Sequence, residues 1–223
     1  MNMVYGLIGA GGYGRETIFI MRQMLQDKIT AGIAKIFFVV EGECSAVEIN
    51  GYPVISLEAF CNIKNPKHFN IAIGDSAVRK RIADICFAAG AVPFSIMANN
   101  LCLMEPIDLG EGTILSPFVT ITANVRIGCF FHANIYSYVA HDCIVGDFVT
   151  FGPSVNCNGR VLIEDHAYIG SGACIKEGKQ GSPLIIGRGA VVGMGAVVTK
   201  NVPPGTTVVG NPARPLIKSG LGK

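Results

Sequence analysis

An apolar residue returns at every sixth position through the C-terminal half of the chain: Leu109, Leu115, Ile121, Ile127, Ala133, Val139, Val145, Phe151, Cys157, Ile163, Ile169 and Ile175. After an interruption from Glu177 to Pro183, the register resumes at Ile186, Val192 and Val198. The position after the apolar one is repeatedly Gly, Ser, Thr or Asn, and the fifth is small or β-branched. A helix would repeat apolar residues at i, i+3, i+4 and i+7, a pattern absent here. Such hexads predict a parallel β-solenoid whose apolar residues point inward and whose small residues let the chain turn tightly between short strands. One rung cannot bury its own apolar edge, so stability comes from stacking rungs along the axis.

Three hexads make one triangular coil, so residues 18 apart are expected to stack about 4.8 Å apart, the interstrand spacing. Gly159 then lies next to His141, where its N–H can reach whatever His141 acts on. Gly152 and Gly170 stack along an edge, and Gly193 continues the row if the interruption occupies one loop. That row would leave a groove without side chains, able to take a long, thin ligand.

The N-terminal part has a different period. Val4 to Ile8 reads as a buried strand running into Gly9, Gly11 and Gly14, the G-x-G-x-x-G spacing, with a helix following to about Asp27. Glycines there let the backbone turn sharply and approach a phosphate at the helix N-terminus. A tight strand-to-helix turn without a ligand is the other reading of the same residues. A second strand, Ile36 to Val40, ends at Glu41, whose carboxylate can accept hydrogen bonds from a ribose or base. A third strand from Phe69 to Ile73 turns at Gly74, Asp75 and Ser76 into a helix carrying Arg79, Lys80 and Arg81. Only about one βαβαβ half fits before the repeat begins near residue 100. The expected organisation is therefore an α/β Rossmann-like half domain over 1–99 and a parallel β-helix over 100–223. The first suits a nucleotide or nucleotide-linked substrate better than NAD.

The 223 residues are half apolar and 15% charged, with a formal net charge of +2. That balance carries no basic footprint for nucleic acid and no acidic tail. No stretch approaches the roughly 20 apolar residues of a membrane helix, and the chain enters its first strand without a basic leader, so a cytoplasmic protein with no membrane partner is expected. Eight cysteines form no C-x-x-C pair and are expected to be buried reduced thiols.

His132, His141 and His166 are spaced by nine and twenty-five residues, which matches no zinc-ligand pattern, so no metal is expected. His141 stands at the third hexad position, outward from the core, and is followed by Asp142. An imidazole beside a carboxylate is a general-base candidate, because the carboxylate fixes its tautomer. The residues alone do not separate this from a solvated surface pair. Cys143, at the small fifth position, reads as packing.

The repeat and its closing Val209-Gly210-Asn211-Pro212-Ala213-Arg214 resemble the hexapeptide-repeat acyltransferases, whose left-handed β-helix forms homotrimers and binds acetyl-coenzyme A between neighbouring solenoids. Gly9-Ala10-Gly11-Gly12-Tyr13-Gly14-Arg15-Glu16, Ile73-Gly74-Asp75 and Val139-Ala140-His141-Asp142-Cys143 look more narrowly like the members that N-acetylate nucleotide-linked 4-amino sugars, and like the sialic acid O-acetyltransferases. The resemblance implies an acetyl-CoA-dependent transfer to the amine of a dTDP-, UDP- or GDP-linked 4-amino-4,6-dideoxy sugar, in glycan biosynthesis. It implies that His141 is the base, Asp142 its orienting acid and Gly159 the donor to the thioester oxygen. Gly152, Gly170, Gly193 and Asn158 would hold acetyl-CoA, Gly11, Gly12, Glu41 and Asp75 the nucleotide, and Asn134 the sugar. The chain departs from the pattern at Ile96-Met97-Ala98, where many members have Ile-His-Pro, and at Thr150, where some have a second His. An O-acetyltransferase acting on an activated sialic acid is the alternative. A nicotinamide-dependent oxidoreductase would leave the solenoid unexplained, and a zinc hydratase would require stoichiometric metal.

Overall fold

The computed structural model describes residues 2–42 and 46–216; Cys44 lies outside them. Its contacts divide the chain into two units: Met1–Asn99 with Gly110–Ser116, and Asn100–Leu109 with Pro117–Lys223.

The first unit is a parallel sheet flanked by helices. Its elements run β1 (Met3–Ile8), α1 (Gly12–Met24), α2 (Gln26–Thr30), β2 (Ala34–Val40), β3 (Glu48–Ile49), β4 (Tyr52–Ser56), α3 (Leu57–Asn62), β5 (Lys67–Ile71), α4 (Ser76–Ala88) and β6 (Val92–Pro93). The strand order is β3-β4-β2-β1-β5-β6, with only β3 antiparallel. Leu7, Ile8, Phe38, Val39, Phe69 and Ile71 are buried to within 1% in near-continuous apolar runs, as strands covered on both faces require. The chain builds outward from β1 through β2 to β4, then returns to the other side with β5. That reversal is a topological switch point at the carboxyl ends of β1 and β5, where open sheets of this kind bind ligands. The helix expected to reach Asp27 ends at Met24, and α2 follows after Leu25.

The second unit is a three-sided parallel β-helix. One face stacks Cys102–Leu103, Thr120–Ile121, Tyr138–Val139, Asn156–Cys157, Cys174–Ile175 and Val197–Val198. A second carries Ile107–Leu109, Val125–Ile127, Ile144–Val145, Val161–Ile163 and Leu184–Ile186; the third includes His132–Ala133, Thr150–Phe151, Tyr168–Ile169, Val191–Val192 and Thr207–Val209. The predicted 18-residue register holds, as in Val139↔Cys157 and Ile144↔Leu162. Across the interruption it becomes Leu162↔Ile185, so the loop adds five residues without disturbing the stacking. From Ile121 to Val198 the sixth-position apolar residues are all buried.

The corners differ from expectation. The turn is made at the fourth hexad position, where Phe118, Asn124, Phe130, Tyr136, Asp142, Phe148, Ser154, Arg160 and His166 all have φ between 53° and 63°. This left-handed conformation costs about 1–2 kcal/mol at a non-glycine residue. Stacking one coil above another offsets part of it: Phe118 on Tyr136 at 4.9 Å, Phe130 on Phe148 at 5.2 Å and Phe148 on His166 at 5.3 Å, all with nearly parallel rings. The small second-position residues serve stacking instead. A β-carbon on Gly146 would meet Asp165 backbone N at 2.7 Å, and one on Gly152 would meet Ser171 N at 2.8 Å.

Candidate active site

The strand Tyr138–Val139 carries the chain to a corner where Asp142 takes the left-handed conformation at φ 59°. That turn folds the Asp142 carboxylate back beside the preceding side chain, and His141 Nδ1 lies 2.8 Å from Asp142 Oδ2. From one coil earlier, Asn124 Nδ2 donates to Asp142 Oδ1 at 3.2 Å. From one coil later, Arg160 Nη2 stands 3.7 Å from Oδ2. The hydrogen bonds from His141 and then Asn124 hold the Asp142 carboxyl below its ordinary value. An ionised Asp142 accepts from Nδ1–H and leaves Nε2 as the basic nitrogen. Both side chains remain exposed at 40% or more, so a substrate can reach them.

Gly159 lies directly over this ring. A β-carbon there would stand 2.6 Å from His141 Cε1 and Nε2 and 3.0 Å from Nδ1. At the corner below the third face, the matching N–H groups are consumed: Asp147 Oδ1 takes the Cys129 N–H at 2.7 Å, and Asp165 Oδ1 takes that of Asp147 at 2.9 Å. Glu177 stands one coil on from Gly159, but its carboxylate bonds Arg160 instead, and among the described residues no acceptor takes the Gly159 N–H. A backbone donor is thus open beside an imidazole, the pairing a tetrahedral acyl intermediate needs.

Gly152, Gly170 and Gly193 do stack in a row: Gly152 N donates to Ile169 O, Gly170 N to Val192 O and Gly193 N to Val208 O. The row is demanded by packing, since a β-carbon on Gly170 would meet Met194 N at 2.6 Å. Gly128 and Gly146 obey the same requirement elsewhere, so glycine here marks the solenoid before it marks a ligand. The side chains of Asn158 and Asn134 are partly committed to the wall. Asn158 donates to Ile175 O at 2.7 Å and accepts from Tyr138 Oη at 2.7 Å, and Asn134 donates to Phe151 O at 3.0 Å.

In the first unit, Gly11 caps α1 and Gly12 begins it, and a β-carbon on either would meet nothing within 4 Å. Gly9 has φ +105°, and a β-carbon on Gly14 would meet Gly9 O at 1.9 Å. The fold itself therefore requires Gly9 and Gly14, while the open space at Gly11 and Gly12 lies at the switch point. Asp75 caps α4, its Oδ1 accepting from Ala77 N and Val78 N at 2.9 Å each. Glu41 is paired with Arg81 through two bonds of 2.8 Å, which lower its pKa. Neither acid is a bare acceptor; each is already engaged by its own unit.

Three residues at the solenoid site escaped the sequence reading. Asn124 and Arg160 are 18 residues either side of Asp142, a spacing that could have found them. Glu177, at the start of the interruption, bonds Arg160 Nη1 and places Oε1 3.8 Å from His141 Nε2. A cavity of about 420 Å³ opens beside them, lined in part by Asp142, Arg160, Lys179 and Gln180. The other histidines are packing residues: His132 is buried, His166 stacks on Phe148, and His68 stacks on Tyr5 at 4.9 Å. Among the described residues no group of three or more His, Cys, Asp and Glu could hold a metal ion, and no helix is long and apolar enough to cross a membrane.

The PglD N-terminal domain family matches residues 6–86. Over 222 residues, covering 98% of both chains, the sequence is 50% identical to the GDP-perosamine N-acetyltransferase of Escherichia coli O157:H7. The chain belongs to the hexapeptide-repeat sugar N-acetyltransferases. The structure of WeeI from Acinetobacter baumannii AYE superimposes on this N-acetyltransferase with a TM-score of 0.91 at 47% identity, over 96% of this chain and all of that one. The acetyltransferase domain of PglB from Neisseria gonorrhoeae FA1090, solved in complex with acetyl coenzyme A, gives a TM-score of 0.82 at 25% identity, over 97% and 100%. The solenoid of this N-acetyltransferase is accordingly the left-handed parallel β-helix, and its acyl donor is acetyl-CoA.

Proposed function

We propose that this chain transfers the acetyl group of acetyl-CoA to the amine of GDP-perosamine, a GDP-linked amino sugar, with His141 as general base. The observation that carries the reading is the 50% identity, over 98% of both chains, to a GDP-perosamine N-acetyltransferase. The amine nitrogen attacks the thioester carbonyl, a C–N bond forms and the C–S bond breaks. His141 Nε2 takes the amine proton and returns it to the departing sulfur, a contribution of about 100 to 10,000-fold. Asp142 orients the ring, and the open Gly159 N–H donates to the oxyanion; losing one such donor costs about 3 kcal/mol.

In this reading acetyl-CoA lies against the row of Gly152, Gly170 and Gly193, near Asn158. The nucleotide sits at the switch point of the first unit, against Gly11 and Gly12, with Asp75 and Glu41 around it, and Asn134 contacts the sugar. The working form is a homotrimer, and exposed Phe118, Ile135, Tyr136 and Met194 on the second unit are apolar surface that assembly would cover. The enzyme acts in the cytoplasm in glycan biosynthesis, where acetyl-CoA and nucleotide sugars are both at hand.

The test is thiol release from acetyl-CoA with UDP-, dTDP- and GDP-linked 4-amino-4,6-dideoxy sugars, for wild type and His141→Ala. Turnover on the GDP sugar that falls at least about 100-fold in the variant supports the proposal. Turnover untouched by the substitution overturns the base assignment. Acetylation only of a hydroxyl acceptor, such as an activated sialic acid, overturns the amine assignment.

A further inference from the structure

The break in the hexad register does more than lengthen one coil. Its backbone is pressed onto the catalytic corner: Gly178 N donates to Gly159 O at 2.9 Å and Leu184 N to Arg160 O at 3.2 Å. A β-carbon on Gly178 would stand 2.1 Å from Arg160 O, so nothing larger fits there. Glu177, immediately before it, is thereby held in place, with one carboxylate oxygen on Arg160 and 3.8 Å from His141 Nε2. This is the face of the imidazole that Asp142 leaves free.

Asp142 and Glu177 set two carboxylates around the imidazole with the single guanidinium of Arg160 in contact with them, while Lys179 makes no ion pair with either and stands on the lining of the adjacent cavity. A carboxylate beside Nε2 favours an incoming cation over a neutral group of the same shape. An aliphatic amine arrives in neutral solution as an ammonium ion, with three N–H donors; a sugar hydroxyl arrives uncharged.

Resting on the proposed acetyl transfer, we infer that Glu177, steadied by Arg160, is the acceptor-recognition residue that selects an amine over a hydroxyl. Its carboxylate receives one N–H of the ammonium and holds the nitrogen beside Nε2. One proton then passes to Nε2 and on to solvent, freeing the lone pair for attack. A second leaves the nitrogen as the tetrahedral intermediate collapses and ends on the coenzyme A sulfur. The amide keeps the third.

The test compares wild type, Glu177→Gln and Glu177→Asp in the full chain, varying whichever of the UDP-, dTDP- or GDP-linked 4-amino sugars the wild type acetylates. Glu177→Gln keeps the shape and removes the charge. The expected result is a rise of at least 10-fold in KM for the amino sugar, with the loss falling on KM rather than kcat. KM for acetyl-CoA should stay in place, and Glu177→Asp should recover part of the loss. An unchanged amino-sugar KM in Glu177→Gln overturns the inference while leaving the proposed transfer intact. Parallel rises in both KM values with a lower Tm also overturn it, because they mark a residue that only holds the loop. A wild type that turns over none of the amino sugars overturns both.

Discussion

The imidazole of His141 is seated on the α-carbon of Gly159, with room for a hydrogen between them but not for a methyl group. The two residues stand one coil apart, so the solenoid's own stacking sets the distance between the imidazole and the backbone N–H. Gly159→Ala should push the ring off Asp142 and lower kcat by about 100-fold, the cost of a misplacement near 1 Å. Tm should change little, because the displaced ring can swing into solvent. A variant with wild-type kcat would separate the ring position from catalysis.

The two kinds of glycine in the first turn should part company on substitution. Gly14→Ala drives a β-carbon into Gly9 O and should cost at least about 2 kcal/mol of stability, read from denaturant unfolding. Gly11→Ala meets no neighbour and should cost no more than about 1 kcal/mol, the loss of a favoured N-cap residue. Its effect should appear in KM for the sugar nucleotide. A Gly11→Ala enzyme with unaltered KM would move the nucleotide away from the switch point.

The Glu41–Arg81 pair gives a pH-dependent signature. Its hydrogen bonds lower the Glu41 pKa in the folded chain, so the unfolded chain binds the proton more readily. The stabilising contribution is full above the ordinary value of about 4.3 and is lost as pH falls through the folded value. Tm of wild type should exceed that of Glu41→Gln near neutrality by a small margin, as fits an exposed pair. The gap should close in acid, and a gap that persists there would assign the difference to something other than this charge.

Much of this was legible in the residues because a solenoid translates sequence spacing directly into distance. The inward row from Leu115 to Val198 and the placing of Gly159 over His141 follow from counting in sixes and eighteens. The corner conformation did not follow, since Phe118, Tyr136 and Arg160 are residues that ordinarily avoid positive φ; only the stacked coil makes the turn tolerable. Glu177 lies 18 residues after Gly159, where Cys157 and Ile175 still pair in register, so the count reaches its position; what spacing does not show is its pairing with Arg160. Asp75 and Glu41 were found as acids; the Asp75 cap is local, its Oδ1 taking N–H groups two and three residues on, whereas the arginine 40 positions from Glu41 is a tertiary partner. The β3–β4 hairpin, with its antiparallel edge strand, has no repeat to announce it.

Five extra residues enter at the interruption, and the strands beyond it pair as though nothing had happened. In a closed globular core such an insertion would propagate; along a stack of coils its influence ends with the rungs it touches. The loop that lies over this corner is thus an appendage that can be lengthened, shortened or exchanged while His141, Asp142 and Gly159 stay on the tube. Grafting a different loop at this point is expected to leave the thermal tolerance of the solenoid in place.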